Sequence, residues 1–195
     1  LRDAPRNAPW RTPVMAELVG LLQNNDHPLG LRGQAIAAFA LSGDPNAAAL
    51  FRQLMQTPSN ELRQLAALGA GMLADPKATE HLVGILMQSA GAACQAACLA
   101  LVQVGTGTAL EAIASVLLGA DEPLRIAAAE ALANHPAEGH ETLRDGITSE
   151  DILVRRAIVY GLARIREEWA RELRGRIPTT DDQWVVRNAA VEVLD

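Results

Sequence analysis

Leu124-Arg125-Ile126-Ala127-Ala128-Ala129-Glu130-Ala131-Leu132-Ala133-Asn134, followed by His135-Pro136, is the stretch on which the reading of the fold turns. As a helix it places an arginine at its entry, with Ala127, Ala128, Ala131 and Leu132 two, three, six and seven residues on. That is the spacing of one apolar helical face. The pattern recurs behind Arg32, Arg63, Arg155 and Arg187, and Cys94 holds the arginine position of a further copy. The steps from 32 to 63, 94, 125, 155 and 187 are 31, 31, 31, 30 and 32 residues. The chain is one motif written six times.

Each copy is preceded by another apolar-periodic segment, beginning with Val14 to Asn24 before the first arginine. The turns between segments hold proline, glycine, Asp or Ser/Thr, residues that stop one helix and cap the next. Examples are Asn25-Asp26-His27-Pro28 and Pro178-Thr179-Thr180-Asp181-Asp182. One helix pair cannot bury its stripe alone, so pairs repeating at this period stack into a solenoid. The expectation is an all-α, right-handed superhelical solenoid of about six antiparallel helix pairs over residues 14–195. Residues 1–13, with prolines at 5, 9 and 13, are expected to be an irregular lead-in.

Composition agrees. Hydrophobic residues make up 49% of 195, enough for a core without disulfides or metals. No apolar run is long enough to cross a membrane. Acids outnumber bases 23 to 17, and 16 of those bases are arginine. The arginines between 155 and 187 are offset by neighbouring acids, so the one-signed basic face of a nucleic-acid binder is missing. Cys94 and Cys98 lie four apart on one predicted helix, poorly placed for a disulfide. They read as small buried hydrophobes suited to a reducing compartment, and the cytoplasm is the expected location.

The arginine-led pairs resemble HEAT repeats, in particular the short bacterial HEAT-like repeats of the phycobilisome-lyase type. In that family an Asp six residues before the arginine joins it in a structural ladder along the stack. Asp26/Arg32 and Asp181/Arg187 match that spacing, while Thr57, Gly119 and Ser149 stand at it before Arg63, Arg125 and Arg155. The resemblance implies that all five arginines are structural and that the ladder is partial. His140-Glu141 resembles the dyads with which HEAT-repeat deoxyhypusine hydroxylases bind iron. Those dyads recur across repeats and this one stands alone, so no metal, cofactor or catalytic residue is assigned.

Counted from each arginine position, offsets 4, 5, 8 and 9 should point away from the core and be polar if they meet only water. Several are apolar: Ile36, Leu68, Met72, Leu99, Val102, Val159 and Tyr160. In HEAT solenoids the second helices line the concave side. The strip is either a groove for a protein partner or a seam closed by lateral packing of neighbouring second helices. The expected function is a non-enzymatic protein-interaction scaffold. The alternatives are a bilin lyase or a chaperone-like subunit of one, and a HEAT-like DNA glycosylase, which would need a basic, aromatic groove. Neither nucleic acid nor membrane insertion is expected. The first residue is Leu1, and the last helix keeps Val185, Val186, Val191, Val193 and Leu194 without a polar cap. A longer parent chain, or self-association through an open C-terminal end, is therefore expected.

Overall fold

In the computed structural model, which describes residues 8–194, the chain is all-α. It divides at Ala100/Leu101 into two compact halves. The first half holds α1 (Arg11–Gln23), α2 (Leu29–Leu41), α3 (Ala47–Leu54), α4 (Asn60–Met72), a 3-10 turn (Pro76–Ala78) and α5 (Thr79–Gln88). The division falls within α6 (Ala92–Val104). The second half continues with α7 (Gly107–Gly119), α8 (Glu122–Leu132) and α9 (Glu138–Gly146). It then adds α10 (Ile152–Arg164), α11 (Glu168–Thr180) and α12 (Trp184–Glu192). No strand occurs among the described residues.

The caps are written in the sequence. Ser59 accepts from Leu62 N–H at the start of α4, Thr106 from Ala109 at α7, and Asp151 from Leu153 and Val154 at α10. Each satisfies a donor that the first helical turn leaves without a partner. Gly105, at φ +64°, ends α6 in the left-handed region that glycine enters without penalty.

Two boundaries differ from the sequence reading. Residues 1–7 of the expected lead-in lie outside the described residues, and residues 11–13 of it are helical. Pro13 falls in the first turn of α1, where an N–H has no intrahelical partner to lose. At the other end, α11 runs through Pro178 to Thr180, into the segment expected to be a turn. The Thr179 and Thr180 hydroxyls both donate to the Arg176 carbonyl, which holds this last turn together.

In the first half α1 packs on α2, α3 on α4, and α2 lies beside α4. In the second half α7 packs on α8 and α11 on α12, while α10 lies between α8 and α12. The central helix α10 shows what drives this: Val154, Ile158, Val159 and Leu162 are at most 1% exposed. Each such side chain contributes roughly 1.5–3 kcal/mol by leaving water. At offset 6, Gly69 lies against the Phe51 ring, and Gly161 lets α10 approach the Ala129 carbonyl on α8.

Candidate functional site

The arginines that define the repeat are held by two kinds of bond. Toward their own repeat they donate to backbone carbonyls. Arg32 Nε reaches Leu22 O at 2.9 Å, Arg63 Nε reaches Thr57 O at 2.7 Å, and Arg125 Nε reaches Ala120 O at 2.8 Å. Arg155 and Arg187 donate to Ser149 O and Asp181 O, each at 2.8 Å. These carbonyls lie in the turn or, for Leu22, in the last turn of α1, so the guanidinium ties the second helix to the end of the first.

Toward the following repeat the same guanidinium takes a side-chain acceptor. Arg32 meets Glu61 at 2.7 Å and Arg63 meets Ser89 Oγ at 3.0 Å. Arg125 meets Asp151 at 2.7 Å. Arg155 forks onto both oxygens of Asp181, at 2.9 and 3.1 Å, and onto Asp182 at 2.8 Å. This corrects the pairing implied by the resemblance. Asp181 does stand six residues before Arg187, yet its carboxylate serves Arg155, 26 residues earlier. Asp26 is exposed and, among the described residues, its carboxylate bonds to no arginine; Arg32 turns instead to Glu61, so Asp26 is not its rung. A turn acid lies nearer the arginine of the preceding repeat than that of its own, because the turns stack on one another.

The electrostatics follow. The hydrogen bond from Arg125 holds the Asp151 carboxyl below its ordinary value. Partial burial pushes Asp181 upward, but the bonds from Arg155 and from Gln183 N–H outweigh it and hold the group low as well. Where cysteine replaces arginine, Cys94 turns its thiol to the Ile85 carbonyl at 3.8 Å. One turn on, burial, aided by Cys94, pushes the Cys98 thiol up to about 12. Such a thiol stays protonated and unreactive.

Six of the seven residues expected on the outward strip separate into two sets. Ile36, Val102 and Val159 are at most 2% exposed and are removed from it. At offset 4, Ile36, Ala67, Cys98, Ala129 and Val159 are all buried. This position faces the neighbouring second helix wherever second helices lie side by side, as α2 with α4 and α8 with α10. Lateral packing thus accounts for offset 4 on α2, α4, α8 and α10. Offsets 5 and 9 remain open: Leu68 is 36% exposed, Met72 47% and Leu99 38%. Leu41, at offset 9 of α2, reaches 58% and was missed, although its place in the pattern marked it.

The same offsets look different in the second half. Glu130 pairs with Arg164 at 2.8 Å, and the Tyr160 hydroxyl donates to Glu192 at 2.8 Å. Arg156, at offset 1, pairs with Glu122. These contacts cross between α8, α10 and α12 and cover their open face with charge. Tyr160 is therefore engaged with α12 and is not part of an apolar strip. On α12 Trp184 and Val191 are 67% and 51% exposed, and Leu194 just after it is 49% exposed, which leaves an apolar surface at the last described helix.

No helix is long and apolar enough to cross a membrane, and no three His, Cys, Asp or Glu side chains converge as metal ligands, among the described residues. His140 points one ring nitrogen at the Ala133 carbonyl, and Glu141 is exposed.

A family model described as HEAT repeats matches residues 15–101 and 110–195, which together span most of the chain. Among curated proteins none matches.

Proposed function

Since the chain belongs to the HEAT-repeat family and its helix pairs form an α-solenoid, we propose that it is a non-enzymatic protein-interaction scaffold. Its partner presents an apolar or amphipathic helix to the second helices of the first half. One observation carries this reading. Leu41, Leu68, Met72 and Leu99 stand exposed at offsets 5 and 9, where a face that met only water would be charged. Side chains at repeating offsets on successive helices form a row, and a helix docks on such a row through anchors spaced three or four residues apart. The family supports the same reading, since repeat stacks offer long surfaces with few chemical groups fixed in place.

The test is site-specific photo-crosslinking in an extract of the native host. A crosslinker at Leu68 or Met72 should capture one discrete partner, and one at Arg164 should not. Leu68→Glu with Leu99→Glu should remove that product and leave the helical circular dichroism unchanged. Equal capture from both halves, or unfolding of the double variant, would sink the proposal.

A further inference from the structure

The ladder has one rung without a carboxylate. Among the described residues four arginines bond into the following repeat, and three of them end on an acid. Arg32 meets Glu61, Arg125 meets Asp151 and Arg155 meets Asp181. Arg63 meets only the Ser89 hydroxyl, at 3.0 Å. Its Nε is taken by the Thr57 carbonyl, and its Nη2 has no hydrogen-bond partner among the described residues. Arg32 and Arg125 also leave Nη2 unbonded, but a carboxylate on Nη1 already balances their charge. The half-buried Arg63 has no such counter-charge.

Arg63 lines a cavity of about 340 Å³ formed with the residues just after α3 and with α5. Gln56, His81 and Gln88 add polar groups to its wall, and Glu80 adds a carboxylate. Glu80 is exposed and forms no ion pair with Arg63 or any other base among the described residues. His81 Nε2 lies 2.9 Å from the Gln56 amide nitrogen, while its Nδ1 is buried without a partner, whichever tautomer the ring takes. Gly84 keeps the wall open, since a methyl placed there would meet nothing within 4 Å. Unbalanced charge, an unsatisfied imidazole nitrogen and free room thus coincide at one place. Buried polar groups are normally satisfied, so this wall is where the chain leaves its own bonding incomplete.

We propose that this cavity binds a carboxylate, carried either by a side chain of a protein partner or by a free small molecule. The carboxylate gives Arg63 the counter-charge that Glu61, Asp151 and Asp181 give the other rungs. Hydrogen bonds from a guanidinium to a carboxylate are stronger than those to a neutral hydroxyl such as Ser89. The side-chain amides of Gln56 and Gln88 offer further donors, as each carries two N–H groups. A phosphate dianion fits less well, because a single guanidinium faces it and Glu80 on the same wall repels it. Holding the Thr57 carbonyl requires only Nε, so the structural role of Arg63 leaves Nη2 available. The cavity lies apart from the exposed offsets of the second helices, so this assignment and that of the apolar row stand or fall separately.

NMR titration of the full chain decides it, with the Arg63 side-chain Nε–H resonance as the readout. The probe is N-acetyl-glutamic acid α-amide and the control its neutral isostere, N-acetyl-glutamine amide. The acid should bind at least about tenfold more tightly than the isostere, because only it forms charge-assisted bonds. Ser89→Asp supplies the missing carboxylate from within the chain and should weaken binding about tenfold by the same bond. Gly84→Leu fills the cavity and should weaken it as much, whereas Glu80→Gln removes the repelling charge and should tighten it. Circular dichroism verifies that each variant is folded. A peptide with a central glutamate separates the sources: tighter binding than the amide points to a protein partner, equal binding to a small molecule. The assignment is overturned by a static Arg63 resonance, by equal binding of the isostere or by tighter binding of inorganic phosphate. Binding that survives both Ser89→Asp and Gly84→Leu overturns it as well.

Discussion

The exposed faces of α4 and α10 occupy the same place in the repeat and carry opposite chemistry. On α4, offsets 5 and 9 are Leu68 and Met72; on α10 they are Tyr160 and Arg164. The offsets that build the core hardly differ, with Leu65, Ala66 and Ala70 buried on one and Ala157, Ile158 and Leu162 on the other. A repeat therefore separates positions that specify the stack from positions free to vary. The two halves have used that freedom differently, one presenting apolar side chains and the other cross-linking its helices with Glu122–Arg156, Glu130–Arg164 and Tyr160–Glu192.

The ladder sharpens the contrast, because Arg125 and Arg155 in the second half both meet carboxylates, whereas the first half pairs Arg32 with Glu61 but Arg63 with the neutral Ser89. Arg155→Ala strands Asp181, whose side chain is 9% exposed, so a loss of about 3 kcal/mol is expected. Arg63→Ala removes bonds to a carbonyl and a hydroxyl, and about 1 kcal/mol is expected. Urea unfolding of both variants measures the gap, and equal losses would show that the halves are not held differently.

Next in size are the two glycines at offset 6. A methyl on Gly161 would meet the Ala129 backbone oxygen at 2.7 Å, which cannot move without shifting α8. A methyl on Gly69 would meet the Phe51 ring at 2.7 Å, and a ring can tilt. Gly161→Ala should cost about 2–3 kcal/mol and Gly69→Ala about 1 kcal/mol, within the usual range for overpacking. Thermal melts that rank the two the other way would mean that the Phe51 ring is the more rigid neighbour.

Acid separates the halves more gently. Asp151 and Asp181 are held below the ordinary carboxylate value near 3.8. Their contribution is therefore complete above that pH and is lost as the pH falls through their lowered folded values. Ser89, which fills the same rung in the first half, has no proton to gain. Asp151→Asn with Asp181→Asn should flatten the decline in stability between pH 4 and pH 2, and an unchanged slope would place the acid sensitivity elsewhere. The smallest effect expected is a gain. Ser89→Asp gives Arg63 a charged partner on a half-exposed rung, worth about 0.5 kcal/mol at neutral pH, a gain that added salt should reduce.

Much of this was legible in the sequence. The arginine period located every second helix, and offsets 3 and 7 located their core side chains except at the last, where Leu194 is exposed, because helical geometry ties spacing to direction. Two things were not legible. The burial of Ile36 and Val159 depends on the neighbouring second helix, and no single helix wheel contains its neighbour. The partner of Arg155 depends on how turns stack, so Asp181 appeared in the right place and joined to the wrong arginine.

Asp151 divides its carboxylate between two tasks: Oδ1 caps the first turn of α10, and Oδ2 holds Arg125 of α8. Helix initiation is the unfavourable step in forming a helix, and this cap is in its best orientation once α8 has delivered its arginine. A completed repeat thus lowers the barrier for its successor to begin. In a chain whose contacts run between neighbours, that coupling is mutual: α8 and α10, and through Arg155 and Asp181 also α10 and α12, each favour the other's formation.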